Sequence, residues 1–143
     1  MTALPLAAAQ ALIAATLAHA RALDAKPLAV IVLDAGGHPI AFARADGASF
    51  GRLDIARAKA WGALAMDCDT AALAERAKGN PAFFTGLSAV FDGRIALSPG
   101  GVVLRDAAGV AIGAMGVSGD TGETDLACAR AAIAAAQGTK GGT

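Results

Sequence analysis

Apolar residues follow a helical period in long stretches of the chain and form short β-rich runs elsewhere. Residues 5–23 predict a first helix, and the nearly unbroken apolar run 28–33 predicts a buried strand. The glycine-containing turn 34–38 joins this strand to a second one over residues 40–44. The first third of the chain is therefore expected to be a helix followed by a β-hairpin.

Two further helices are predicted in the middle of the chain. One covers about residues 52–67, and the next is capped by Asp69 and ends at Gly79. Asn80-Pro81 interrupts the pattern, and an irregular stretch with clustered phenylalanines is expected after it.

The last third predicts a second hairpin and a final helix. The β-rich runs 102–104 and 110–117 flank a turn at residues 106–109, and a helix over residues 123–137 would stop at Gly138. Antiparallel neighbours separated by helices predict a single α+β domain over residues 1–143. Its mostly antiparallel sheet is flanked by helices, and residues 138–143 form a disordered tail.

The apolar faces of the first helix suggest contacts beyond one chain. Leu6, Ile13 and Leu17 share a face expected to meet the sheet, whereas Leu12 and His19 share a different face. Hydrophobic residues make up 55% of the sequence, and the mean hydropathy is +0.53. We therefore expect a homo-oligomer, a dimer or a larger assembly.

Charge and composition narrow the function classes. The chain has 12 basic and 12 acidic residues and only 4% aromatic residues, which argues against a nucleic-acid partner. Cys68 and Cys128 form no metal or redox motif. The apolar N-terminal stretch lacks a preceding basic residue and is too alanine-rich for a membrane span, so we expect a cytoplasmic protein with no membrane partner.

Lys59 is the most informative single residue. It shares a helix face with Ile55, Gly62 and Met66, where apolar and small residues point. A lysine in this position either forms a structural ion pair, or binds a ligand carboxylate, or acts as a base with a lowered pKa. The sequence leaves these alternatives open.

Three acids cluster at the start of the last helix. Asp120 and Glu123 have the spacing of a capping box, and capping is the expected role of this pair. Asp125 lies inside the helix and could reach Lys59, Arg44 or a metal ion.

Arg44 and His19 are the remaining polar candidates for a site. Arg44 ends a predicted strand and could hold a carboxylate through two parallel hydrogen bonds, or simply lie in solvent. His19 could ligate iron or act as a base, whereas His38 is expected to be a solvated turn residue.

Several motifs together resemble one family. They are the pattern VxDxxGxxxxxxRxDGA over residues 32–48, AKA at residues 58–60, the double glycine Gly100-Gly101, and GAxGVSGxxxxxD over residues 113–125. In combination they resemble the GlcG/HbpS-like family, which includes the C-terminal domain of PduO-type proteins. The resemblance implies a sheet of about five strands, assembly into dimers or larger rings such as octamers, and haem as a candidate cofactor.

Two function hypotheses follow. The first is a protein that binds haem or a related tetrapyrrole, with haem degradation as a further activity. Arg44 and Lys59 would hold the propionates and His19 would be the iron ligand.

The second hypothesis is a cofactor-free tautomerase, isomerase or decarboxylase acting on a small carboxylated catabolite. In it Lys59 and Arg44 would hold the acid, the Gly100 and Gly101 amides would meet negative charge, and Asp125 or Glu123 would move a proton. The predicted ligand contacts also include Ser98, Phe83 and Phe84. A pure assembly or accessory protein is a third option.

Overall fold

The computed structural model describes residues 3–141. It contains five helices and four strands within that range, in an order that confirms the predicted α+β architecture. The elements are α1 (Leu6–Ala22), β1 (Ala29–Asp34), β2 (Pro39–Arg44), α2 (Gly51–Met66), α3 (Thr70–Gly79), α4 (Pro81–Val90), β3 (Gly101–Arg105), β4 (Ala111–Ser118) and α5 (Gly122–Gly141).

The strands form one antiparallel sheet in the order β2-β1-β4-β3. The described residues therefore contribute one strand fewer than the family resemblance implies. Arg44, Ala29 and Ser118 lie opposite one another in a single row across β2, β1 and β4. This row marks the end of the sheet where β1 begins and β4 ends.

Helices cover both faces of the sheet, which explains why β1 is almost entirely apolar. Val30 and Val32 pack with residues of α1 and α5, whereas Ala29 and Ile31 pack with residues of α2. A strand buried on both faces reads as an unbroken hydrophobic run, because each alternating set of side chains meets a helix.

Glycines allow α2 to lie very close to the sheet. A Cβ atom on Gly116 of β4 would overlap the carbonyl group of Ala56, and one on Gly101 of β3 would overlap the carbonyl group of Lys59. The absence of side chains at these two positions therefore sets the depth at which α2 packs.

Three details of the predicted elements are wrong. The stretch after Asn80 is the helix α4, because Pro81 occupies its first turn, where a missing N–H costs nothing. Helix α5 continues through Gly138 to Gly141, and the last two residues of the predicted tail lie outside the described residues. Asp69 does precede α3, but its carboxylate accepts a hydrogen bond from the Val103 N–H (2.9 Å) instead of capping the helix.

The buried face of α1 also differs from the expectation. Leu12 and Ile13 are both in the core, and Leu6 is 53% exposed. Small residues explain this, since Ala9, Thr16 and Ala20 line the buried face and allow close packing. Within the described part of the chain, no helix is long and apolar enough to cross a membrane.

Candidate functional site

Lys59 lies in the interior of the protein, at 2% exposure. Its ammonium group is 3.1 Å from Asp125 Oδ2 and donates a hydrogen bond of 2.9 Å to the Val117 carbonyl oxygen. Of the alternatives that the sequence left open for Lys59, the structure shows an ion pair, and the partner is Asp125. Asp125 is equally buried, and its Oδ1 accepts a hydrogen bond from the Asp120 N–H (2.9 Å).

This ion pair connects the two helical layers. Lys59 belongs to α2, and Asp125 belongs to the first turn of α5, which packs on the opposite face of the sheet. Burial lowers the pKa of Lys59, and the neighbouring Arg52 lowers it further, while the charge of Asp125 and its hydrogen bond oppose the shift. A buried pair with both carboxylate oxygens satisfied is suited to holding structure, because no ligand can reach it without opening the fold.

The double glycine makes room for this pair. Gly100 has φ +130, and a Cβ atom there would lie 2.6 Å from the Val117 carbonyl oxygen and 3.0 Å from Lys59 Nζ. The Gly101 N–H donates a hydrogen bond to Thr70 Oγ1 (2.8 Å). Because its hydrogen is used inside the protein, Gly101 cannot serve as the anion-binding amide that the enzyme hypothesis required.

Ser98 lies just before the double glycine and is half-buried against the start of α5. A Cβ atom on Gly122 would be 2.9 Å from Ser98 Oγ. Gly100 and Gly101 therefore pack against Lys59, and Ser98 lies beside Gly122 at the start of the helix that carries Asp125.

The capping arrangement at α5 differs from the predicted box. Thr121 Oγ1 accepts the hydrogen bond from the Thr124 N–H (3.2 Å), so Thr121 is the capping residue. The carboxylate of Asp120 instead accepts hydrogen bonds from the N–H groups of Lys26 (2.8 Å) and Thr121 (2.7 Å), which lower its pKa. Glu123 is exposed in the first turn of α5, whereas Lys59 and Asp125 are buried.

The other predicted site residues are dispersed. Arg44 is exposed at the end of β2, and His19 is half-buried on α1. Phe83 is 51% exposed, whereas Phe84 is 4% exposed and packs with Leu73 and Leu87 beneath α4. Among the described residues, none of these four side chains forms a hydrogen bond or an ion pair with Lys59 or Asp125.

A groove lies where the start of α1, the end of α5 and the strand β3 meet. Its volume is about 560 Å³, and its walls are mainly alanine, leucine, isoleucine and valine side chains. The lining includes Ala8 and Leu12 of α1, Ile133 of α5, and Val102 and Leu104 of β3. Sequence reasoning missed the groove because it is formed by tertiary packing of small residues, which carry no motif.

His19 does not line this groove, because it lies on α1 seven residues, or about 10 Å along the helix axis, beyond Leu12. Ala8, Leu12, Ala15 and His19 follow one another at steps of four, three and four residues, so they share one helix face. No group of three or more His, Cys, Asp or Glu residues in the described part of the chain is arranged to hold a metal ion. An iron atom would therefore need a carrier such as a macrocycle to supply its remaining ligands.

Arg52 is a functional candidate that the sequence reasoning missed. It is half-buried in the first turn of α2, and its guanidinium donates one hydrogen bond of 3.4 Å to Ser118 Oγ. The signal that could have found it is its spacing of seven residues from Lys59, which places both on the same helix face.

Comparison with known proteins identifies relatives over nearly the whole chain. A family model described as haem degrading protein HbpS-like matches residues 4–134. The corrinoid adenosyltransferase PduO of Salmonella typhimurium is 34% identical over 110 residues, which cover 76% of this chain and 32% of PduO. The chain thus spans about a third of the length of that relative.

Solved structures show the same fold. A crystal structure of a PduOC–haem complex has a TM-score of 0.84 and 31% identity, and the match covers 94% of this chain and 95% of the other. A double mutant of HbpS from Streptomyces reticuli has a TM-score of 0.82 and 28% identity, over 94% of this chain and 88% of the other.

Proposed function

We propose that this chain, which belongs to the HbpS-like family of haem-degrading proteins, binds haem along the α1 face that carries both the groove and His19, and that His19 would hold the iron. Support comes from the structural neighbour solved as a haem complex at 31% identity. The observation that carries the proposal is the apolar groove of about 560 Å³ on the α1 face that also carries His19, which is half-buried about 10 Å beyond the groove lining.

The residues present fit a haem group. The walls of the groove can cover part of an apolar macrocycle, and a macrocycle that extended along α1 beyond the groove would bring its iron towards the imidazole of His19. Arg105 lines the groove and is the cation available to a propionate, although its guanidinium also contacts Asp67 Oδ1 at 2.7 Å. Bound haem would supply the redox and ligand-binding chemistry of its iron.

The alternative enzyme mechanism finds no supporting observation. It required Lys59 and Arg44 to hold the acid and Asp125 or Glu123 to move a proton. Lys59 and Asp125 are buried and hydrogen-bonded to each other, whereas Arg44 and Glu123 are exposed. Self-association of the chain and a cytoplasmic location stay predictions.

A haem titration with matched histidine variants tests the proposal. Wild-type protein is expected to give a saturable Soret shift. His19→Ala is expected to alter the Soret position and to weaken haem binding by at least about tenfold, because it removes the proposed iron ligand. His38→Ala is the control, since His38 is exposed in the β1–β2 turn. Ala8→Trp should also weaken binding, because its side chain would fill the groove.

Either of two results would overturn the proposal. One is unsaturable association of haem with the wild-type protein. The other is a His19→Ala spectrum and affinity equal to those of wild type and His38→Ala, measured with variants whose circular dichroism shows an intact fold.

A further inference from the structure

The side of β2 that faces the α2 layer is largely uncovered. Helix α2 packs on β1, β3 and β4, so the outer strand β2 extends beyond it. Phe42 of β2 is 60% exposed, and Phe50, the residue immediately before α2, is 82% exposed. Two large aromatic side chains are therefore in solvent on this side of the sheet, where burial would be favourable.

Two arginines accompany these rings. Phe42 and Arg44 are two residues apart on one strand and so point to the same face of the sheet. Arg44 is in register with Ala29 and Ser118, and Ser118 accepts the hydrogen bond from Arg52. Adjacent strands are about 4.8 Å apart, so Arg44 lies roughly 10 Å from Ser118 across two strands, within reach of two long side chains.

Neither arginine has an acidic partner. Among the described residues, no carboxylate lies within 4.0 Å of Arg44 or Arg52, and the single hydrogen bond from the Arg52 guanidinium is the 3.4 Å contact with Ser118 Oγ. The nearby Lys59 and Asp125 neutralise each other. Arg52 is thus a half-buried guanidinium with unused donors at this end of the sheet, and Arg44 is an exposed one.

We propose that Phe42, Arg44, Phe50, Arg52 and Ser118 form a binding site for a small aromatic carboxylic acid. The two guanidinium groups bind its carboxylate, which is the acceptor that their planar donor geometry matches. Phe42 and Phe50 contact the ring of the acid. We call these five residues the arginine shelf.

A carboxylate suits the shelf better than a phosphate. Asp120 is two residues beyond Ser118, and its lowered pKa keeps it negatively charged at neutral pH. Phosphate, which carries more negative charge than a carboxylate, would be repelled by it more strongly. The exposed rings favour a ligand with a flat apolar body, which inorganic phosphate lacks.

The arginine shelf is independent of the proposed haem groove. It lies on the α2 face of the sheet, whereas the groove is lined by α1 and α5, which pack on the opposite face. Variants of the arginine shelf are therefore expected to leave haem binding unchanged.

Binding of 4-fluorobenzoate, followed by fluorine NMR, tests the inference. Wild-type protein is expected to bind this probe saturably at millimolar concentrations or below. Arg44→Gln and Arg52→Gln are each expected to weaken binding about tenfold, the usual loss of a charge-assisted hydrogen bond. Arg130→Gln is the matched control. Arg130 is exposed on α5, so this substitution removes the same charge from the other face of the sheet.

Two further probes separate the contribution of the ligand charge from that of its aromatic ring. The uncharged 4-fluorobenzamide should bind at least about tenfold more weakly than the acid, because it lacks the charge that the arginines recognise. Inorganic phosphate should not displace 4-fluorobenzoate at equal concentration.

Several results would overturn the inference. They are the absence of saturable 4-fluorobenzoate binding, equal affinity of the acid and the amide, equal loss in Arg130→Gln, or displacement by phosphate. A haem titration of folded Arg52→Gln gives one more outcome. If this variant loses haem binding together with 4-fluorobenzoate binding, the arginines hold haem propionates and the separate acid site is wrong.

Discussion

The Lys59–Asp125 pair and the arginine shelf lie at the same end of the sheet but differ in how their charges are satisfied. Lys59 is buried, and its ammonium contacts Asp125 Oδ2 at 3.1 Å and the Val117 carbonyl oxygen at 2.9 Å. Arg52, on the same helix face, has one hydrogen bond of 3.4 Å, and Arg44 is exposed. The more buried cation, Lys59, thus already has its counter-charge and a hydrogen-bond acceptor inside the protein. The cations with unused donors are the ones available for a ligand.

The largest effect is expected from breaking the buried pair. Lys59→Met leaves the Asp125 carboxylate buried without its counter-charge and should lower the free energy of unfolding by about 3–5 kcal/mol. Urea denaturation at pH 7 measures this. Adding Asp125→Leu should restore part of the loss, because no unpaired charge then remains.

Lys78→Met is the matched control for that prediction. Lys78 pairs with Glu75 at a shorter distance, 2.8 Å, but its side chain is 73% exposed. Its loss should change the unfolding free energy by less than about 1 kcal/mol. Equal effects of the two lysine substitutions would show that the buried pair is not the stronger structural element.

A smaller effect is expected from pH. Burial holds the pKa of Lys59 below its ordinary value of 10.5, so between the two values the unfolded chain binds a proton that the folded protein has released. The contribution of Lys59 to stability therefore rises as pH increases towards 10.5. The measurement is the difference in unfolding free energy between the wild-type pair and Lys59→Met/Asp125→Leu, from pH 7 upwards.

Cys128 must be removed from that comparison. Burial and the charge of Asp125 raise the pKa of its thiol above 9.0. The folded protein then keeps a proton that the unfolded chain loses, so this group makes stability fall as pH rises. Both proteins should carry Cys128→Ala. A pH-independent difference between them would contradict the lowered pKa of Lys59.

The smallest effect is expected on the arginine shelf. Arg52→Gln removes one hydrogen bond of 3.4 Å and no ion pair, so the unfolding free energy should change by no more than about 0.5 kcal/mol. Arg57→Gln, an exposed position in the same helix, provides the reference for losing a positive charge from α2. A loss of several kcal/mol in Arg52→Gln alone would make Arg52 a structural residue like Lys59.

Local sequence signals predicted most of the fold. The hairpins, α1, α2 and α3 each have a glycine or proline in the turn or at one boundary, and these residues act within a few positions of the chain. The same kind of signal failed at α4, where Pro81 was interpreted as the start of an irregular stretch although it also suits a first helical turn. At α5 the spacing of Asp120 and Glu123 suggested a capping box, but Thr121 forms the cap.

The candidate site could be predicted only in part. Helical periodicity placed Lys59 on a buried face, and the structure pairs it with Asp125, 66 residues away in sequence. Periodicity does not say on which side of the sheet each helix packs, so it could not show that His19, on α1, lies apart from Lys59, on α2. The haem groove and the arginine shelf both depend on that arrangement.

The ion pair between α2 and α5 also affects how the domain can come apart. Lifting either helix from the sheet would leave a charged group of the other helix in an apolar interior, in addition to exposing apolar surface. The layers that describe the architecture are therefore poor candidates for independent units of local unfolding. The helices α2 and α5, although they pack on opposite faces of the sheet, are expected to open as one cooperative unit.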